Sequence, residues 1–303
     1  MQLKECAYSL MIDYDSPTFQ EVLVNRGSGK GDITPITNLE LAYKVARDRA
    51  ISSPDLSKLC GIALYGDATD KTVDVRDKQT FLLGIRTNLK SYNPTAPDAI
   101  LQTLADISAY LYNDKDTDPL IKAALVHYQF EMIHPFEQYN GIVRRIVISM
   151  ILHDIINDAL PLMCLSEYMY HNKNEYFDLL RTTQYSGGYI RWIKFFINAI
   201  QETTKQSAEL LIQYESIISE DEYHLKENGK LPKSILAVYN YLKSFPITNI
   251  TITERKLGLS FNTVSKTFNL LQKHGIIEDY ENSIRNRVFR YVKLEKLISS
   301  KYD

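Results

Sequence analysis

The run HYQFEMIHPFEQYNGIVRRI, residues 127–146, limits the fold more than any other stretch. An apolar helical pattern through Leu125, Phe130 and Ile133 must stop near His134, because Pro135 disfavours helical geometry in the residue before it. A second pattern starts at Asn140-Gly141, where Ile142, Ile146 and Met150 beside Val143, Val147 and Ile151 make a broad buried face. Two buried helices joined by a short polar loop demand a mainly helical domain built around them. The start of the second helix offers unpaired N–H groups and the positive end of the macrodipole. Asn and Gly before it favour a turn whose amides converge on an anion. Arg144 or Arg145, one turn inside, adds a full charge. The stretch therefore reads as a phosphate site with His134 at its rim as a base. Capping, a plain turn and solvated arginines are the competing reading of the same residues.

Around this pair the chain is mostly helical. Residues 97–113, 118–133, 141–156, 165–182 and 189–226 carry apolar positions at helical spacing. TNLELAYKVARDRA predicts an earlier helix, whereas KTVDVRDKQTFLLGI alternates and predicts a short strand or hairpin. Residues 1–35 read as irregular, with NRGSGKGDITP rich in glycine. Its Gly-Ser-Gly-Lys string is not a phosphate loop, since Val24 stands where the first glycine is needed and Gly31 where Ser or Thr should follow the lysine.

Three scattered cysteines, Cys6, Cys60 and Cys164, form neither a disulfide framework nor a metal spacing, which points to a reducing cytoplasm. His127, His153 and His171 have no partners at ligand spacing either. The start of the chain has no signal-peptide pattern, and the most apolar stretch is broken by His153, Asp154 and Asp158, which excludes a membrane span. The net charge of −2 hides an asymmetry: residues 230–303 hold 13 basic against 6 acidic side chains, leaving 22 against 31 elsewhere. An acidic body with a basic C-terminal module suggests two domains with different partners.

That module follows a linker, KENGKLP. Helices at 233–243, 252–258 and 261–273 precede two short apolar strands around the polar tip ENSIRNR, the pattern of a winged helix. Its third helix exposes Asn262, Thr263, Lys266 and Lys273, and the tip offers Arg285 and Arg287, so DNA is a candidate partner. Packing against protein is the alternative.

The segment HPFEQYNGIVRR resembles the signature of the Fic (Fido) family: His-x-Phe, x, an acid, Gly-Asn-Gly-Arg, two residues, Arg. The flanks ALVHYQFEMIHPF, IVISMILHDIINDALPLMCLS and NKNEYFDLL are also similar, VDVRDKQTFLLG resembles the family's flap, and the likeness extends over residues 20–300. The resemblance implies a Fic-type helical core with a small β-hairpin flap, followed by a winged helix-turn-helix domain. The boundaries expected are 1–95 for the N-terminal helical segment and flap, 96–226 for the core and 227–303 for the winged helix. It implies transfer of AMP from ATP, with Mg²⁺, to a hydroxyl of a protein substrate. His134 would be the catalytic base and Asn140, Gly141 and Arg145 would hold nucleotide phosphates. Tyr176 would wall the adenine, Phe136 would lock the loop, and Thr80, Phe81, Leu82, Leu83 and Gly84 would dock the target as an added strand.

The motif departs from the pattern at three positions. Gln138 stands at the acidic metal position, and a neutral amide is a poor ligand for Mg²⁺. Tyr139 replaces a glycine that would accept a positive φ. Ile142 replaces the first arginine, so only Arg145 remains of the two motif arginines, and the adjacent Arg144 points about 100° away from it on the helix. In many members an inhibitory helix with Ser or Thr, three residues, Glu, Gly pairs its glutamate with the second arginine; the expected counterpart is NRGSGKG, with Lys30 near the glutamate position. Two readings follow: a weak or altered protein adenylyltransferase, or an inactive Fic-fold binding protein, without cofactor, that acts through its winged helix on DNA or a protein. Neither settles the oligomeric state, and a homodimer stays open.

Overall fold

A computed structural model describes residues 1–66, 71–83, 90–156, 163–226, 231–280 and 287–299. The chain divides into two compact units, Met1–Ser16 with Thr34–Thr204, and Pro17–Ile33 with Lys205–Asp303.

Residues expected to be irregular at the start form two helices, α1 (Gln2–Asp13) and α2 (Phe19–Ser28). For α2 the reason is local. The Thr18 side chain accepts from the Glu21 N–H while the Glu21 carboxylate accepts from the Thr18 N–H, a reciprocal cap closing the first turn. The glycine string that obscured the helix is its end: Gly29 takes a left-handed φ of 72° as the C-cap. Next come α3 (Thr34–Ala46) and α4 (Ser53–Tyr65), the latter capped by Ser52 with Pro54 in its first turn.

Of the stretch KTVDVRDKQTFLLGI, read as a short strand or hairpin, the part over 71–81 is not strand. Its backbone bonds go elsewhere, with Val73 N–H donating to Ser57 O and Arg76 N–H to Pro135 O. The hairpin begins at the end of that stretch, where β1 (Leu82–Leu83) pairs antiparallel with β2 (Lys90–Tyr92). The remaining helices of the first unit are α5 (Ile100–Asn113), α6 (Pro119–Ile133), α7 (Asn140–Ile156), α8 (Leu165–His171) and α9 (Lys173–Ser186). The long α10 (Tyr189–Lys226) gives its residues through Thr204 to this unit and the rest to the second. The core gathers around α6 and α7, with Phe130, Ile133, Val143, Val147, Trp192 and Phe196 almost fully buried. Trp192 satisfies its indole N–H on the Ala124 carbonyl at 2.7 Å, as a buried tryptophan must.

In the second unit α11 (Lys233–Ser244) leads to β3 (Ile247–Asn249), then α12 (Ile250–Leu257), α13 (Phe261–Lys273), β4 (Ile277–Asp279), β5 (Val288–Tyr291) and α14 (Val292–Ser299). The sheet order is β3-β5-β4, antiparallel throughout, with Ile247 opposite Arg290 and Ile277 opposite Tyr291. Val238, Leu242, Val264, Phe268, Leu271 and Phe289 form its core. The N-terminal α2 belongs here: a Cβ on Gly27 would lie 2.3 Å from the Ile247 carbonyl oxygen, so only glycine allows this approach of helix to strand. Asn249 donates to the Ser28 carbonyl at 3.1 Å beside it. Among the described residues no helix is long and apolar enough to cross a membrane.

Candidate functional site

The loop between α6 and α7 is built as the sequence demands. α6 ends at His134, which adopts a left-handed φ of 49° before the proline. Phe136 is fully buried and anchors the loop in the core. The Asn140 side chain closes it by accepting from the Phe136 N–H at 2.8 Å and donating to the Phe136 carbonyl at 2.7 Å. This side chain is thereby committed to shaping the loop.

A clamp that sequence reasoning missed holds the loop from the other side. The buried Arg76 guanidinium donates to the carbonyls of His134 at 2.8 Å, Ile133 at 3.2 Å and Lys78 at 2.8 Å, and to that of Thr95. One planar fork thus joins the helix end to the segment leading into the hairpin. Lysine has no such fork. We expect Arg76→Lys to lower the unfolding free energy by about 3 kcal/mol, because carbonyls lose a charged donor where water replaces it poorly. Urea unfolding of the two proteins measures this.

His134 is largely buried, its Nδ1 without a hydrogen-bond partner. Burial, with a smaller push from the Arg76 guanidinium and an opposing pull from Asp13, lowers it to about 4. The imidazole is therefore neutral at pH 7. Its folded value lies below the ordinary ~6.5, so the unfolded chain takes up the proton first. Stability is full above about pH 7 and declines as the pH falls from about 6.5 to 4, by about 3 kcal/mol from this group. Urea unfolding at pH 7, 5.5 and 4 should show that decline reduced in His134→Gln; an unchanged slope would mean the ring is solvated. His127 contributes in the same direction, pushed down first by burial and then by Arg144 and Arg145.

The two adjacent arginines are both buried, and each has its own acid. Arg144 pairs with Glu131 of α6 and lies over the Tyr176 ring, 5.5 Å from its centroid. Arg145 reaches α1: its Nε donates to the Ser9 hydroxyl at 2.7 Å, and its Nη2 to the Ser9 carbonyl and to Asp13 Oδ2, each at 2.6 Å. A Cβ on Gly141 would meet that same carboxylate oxygen at 2.2 Å. The Asp13 carboxylate therefore sits against the first turn of α7, where the macrodipole favours an anion.

The acid paired with Arg145 is thus in α1, which corrects the assignment of NRGSGKG and Lys30 as the inhibitory segment. Ser9, three residues and Asp13 is the spacing of the inhibitory helix described above, with the shorter acid and with Tyr14 in place of glycine. That pattern was visible in the chain; reading residues 1–35 as irregular concealed it. Tyr14 extends the contact, accepting from the Tyr139 N–H at 3.0 Å with the two rings 5.1 Å apart. Tyr139 takes a left-handed φ of 66° despite its side chain, a conformation that costs a non-glycine residue about 1–2 kcal/mol.

Tyr176 is fully buried, its hydroxyl 2.7 Å from His127 Nε2. Gln138 is exposed, and its carbonyl accepts from the Cys60 thiol at 3.9 Å. Ile142 is fully buried. Of the flap, Thr80 is half-buried, Phe81 is exposed, Leu82 and Leu83 form β1, and Gly84 lies outside the described residues. In the second unit Asn262, Lys266 and Lys273 are exposed on α13 and Thr263 is half-buried. Arg287 pairs with Asp279, and Arg285 lies outside the described residues.

Among the described residues no group of three His, Cys, Asp or Glu side chains is placed to hold a metal ion. With a neutral amide at Gln138, the residues present do not fit a resident Mg²⁺ site.

Solved structures share the architecture. A Fic family protein from Desulfovibrio desulfuricans G20 superposes with a TM-score of 0.60 at 19% identity, over 96% of this chain and 86% of its own. A Fic domain-containing signaling protein from Bacteroides thetaiotaomicron gives 0.56 at 18% identity, over 70% and 85%. Among curated proteins, the protein adenylyltransferase fic-1 of Caenorhabditis briggsae is 38% identical over 64 residues, 20% of this chain and 12% of that one. The probable protein adenylyltransferase aq_aa38 of Aquifex aeolicus is 26% identical over 165 residues, 52% and 48%. The chain spans less than half the length of these curated relatives. The Fic/DOC family model matches residues 55–152, a segment that includes α6, the loop and most of α7. With the fold shared and the loop built around His134, Phe136 and Asn140, this chain contains a Fic/DOC family domain.

Proposed function

We propose that this is a nucleotide-binding Fic-type protein adenylyltransferase whose phosphate position is held by its own α1. The observation that carries the reading is Asp13, a carboxylate bound to Arg145 and pressed on the first turn of α7, where a phosphate oxygen of ATP would lie. With Asp13 displaced, Arg145 and the amides at Gly141 hold the phosphates, and the neutral His134 accepts the proton of the attacking protein hydroxyl. The hydroxyl oxygen bonds to the α-phosphorus of ATP as pyrophosphate leaves. Ile142 and Gln138 supply no charge to this step, so its rate rests on fewer donors than the full motif offers; one such donor is worth about 10²–10³ in rate. The residues fit no resident metal, and no step is assigned to one.

The test is calorimetric titration with ATP, with and without Mg²⁺, beside Arg145→Ala, followed by transfer of labelled AMP to lysate proteins beside His134→Ala. Binding lost in the first variant and labelling lost in the second are expected. Binding without labelling would replace the transferase by a Fic-fold binding protein, and no binding in any condition would overturn both.

The second unit supports a further reading as a winged helix that binds DNA, because α13 exposes Asn262 and Lys266 side by side. A third helix of this kind enters the major groove. Affinity for duplex DNA should fall steeply with salt, and the slope should lessen by about one in Lys266→Gln.

A further inference from the structure

Along the second to fourth turns of α7, away from the loop, the first unit holds a cavity of about 700 Å³. That is the size of sites that take compact organic ligands, roughly 300–1,000 Å³. Arg145, Ser149 and His153 line it from α7, and Ile51, Leu111 and Leu152 are among its apolar walls. None of His134, Asn140, Gly141 or Tyr176 lines it, and of the motif residues it shares Arg145.

Its charge is one-sided. Arg47 and Lys122 line it, and Arg47 is exposed and so marks the rim. Lys122 is held by Asp114, whose carboxylate is 3.9 Å away and whose carbonyl it also reaches. The acid in the wall is Glu5, and its oxygens are already occupied by the Ser166 N–H at 2.9 Å, the Ser166 hydroxyl and the Tyr43 hydroxyl at 3.2 Å. Burial raises it above the ordinary carboxylate range, toward the neutral form. Arg145 supplies the inner end. Its Nε and Nη2 are turned to α1, while Nη1 is buried with no hydrogen-bond partner. A buried charged donor without a partner is costly, and an acceptor delivered by a ligand would remove that cost.

We propose that this cavity binds an amphipathic organic anion, a carboxylate or sulfonate on an apolar body, with the head group at Arg145 Nη1 and the body against Ile51, Leu111 and Leu152. The rim arginine draws the anion in, and the apolar walls discriminate against small inorganic ions. The site stands on the cavity and its charges, and holds whether or not the protein transfers AMP.

The probe is 8-anilinonaphthalene-1-sulfonate, followed by fluorescence on the full chain at pH 7, with decanoate and decyltrimethylammonium as competitors. One saturable site is expected, displaced by decanoate and at least tenfold less well by the cation of equal chain length. Arg47→Glu should weaken decanoate at least threefold, and Ser149→Phe, which fills the cavity from α7, should abolish the site. The Arg47 variant alters an exposed side chain, so the test survives if Ser149→Phe does not fold. Absence of a saturable site, displacement by anion and cation alike, or decanoate affinity unchanged in Arg47→Glu would each overturn the proposal.

Discussion

Glu131→Ala should lower the unfolding free energy by about 3–5 kcal/mol, the range for stranding one partner of a buried ion pair. Arg144 is 1% exposed and Glu131 4%, so the guanidinium left behind has no route to water, and among the described residues no other acid is ion-paired with it. Its remaining neighbour, the Tyr176 ring, offers a quadrupole worth far less than a carboxylate. For a unit of this size the loss corresponds to a fall in melting temperature on the order of 10 °C. Thermal and urea unfolding would measure it. The double variant Glu131→Leu with Arg144→Met removes both charges and should recover most of the loss, because well-packed apolar replacements of buried pairs are often neutral or better. A double variant as unstable as the single one would show that the pair's geometry, and not the stranded charge, sets the cost.

Asp13→Asn should act in opposite directions on stability and on ligand binding. The carboxylate is partly exposed, with 22% of its side chain accessible, so its loss should destabilise by only about 1 kcal/mol. It also stands at the C-terminal end of α1, where the helix dipole disfavours an acid, so its place there depends on Arg145 and on the start of α7. Removing it frees those groups for phosphate. On the reading of Asp13 as an occupant of the phosphate position, ATP affinity should rise at least tenfold, about 1.4 kcal/mol. Calorimetry on Asp13→Asn beside the unaltered protein gives the comparison. Equal affinities would mean that the triphosphate does not use the position Asp13 holds.

The two variants separate what the sequence by itself determined from what only the folded chain decided. The end of α6 at His134, the loop anchored by Phe136, the restart at Asn140 and the helices beyond were legible because each rests on local chemistry: a proline, a buried aromatic, a cap, a 3.6-residue period. The hairpin was legible in kind, though the alternating residues 71–81 find their backbone partners at Ser57 and Pro135 and not in a sheet. Residues 1–35 were misread because glycine and polar residues at a helix end resemble those of a loop, and only the Thr18–Glu21 cap distinguishes them.

Which acid answers which arginine was not legible. Arg144 and Arg145 are neighbours in sequence, and their partners Glu131 and Asp13 lie on different helices. Arg76 reads as one charge in a polar segment until the chain brings four carbonyls to it. Pairing of buried charges is settled by which groups lose water together, and that is a property of tertiary packing. The sequence therefore determined the loop and its histidine, while the fold decided that an aspartate from the first helix pairs with Arg145 and stands against the start of α7.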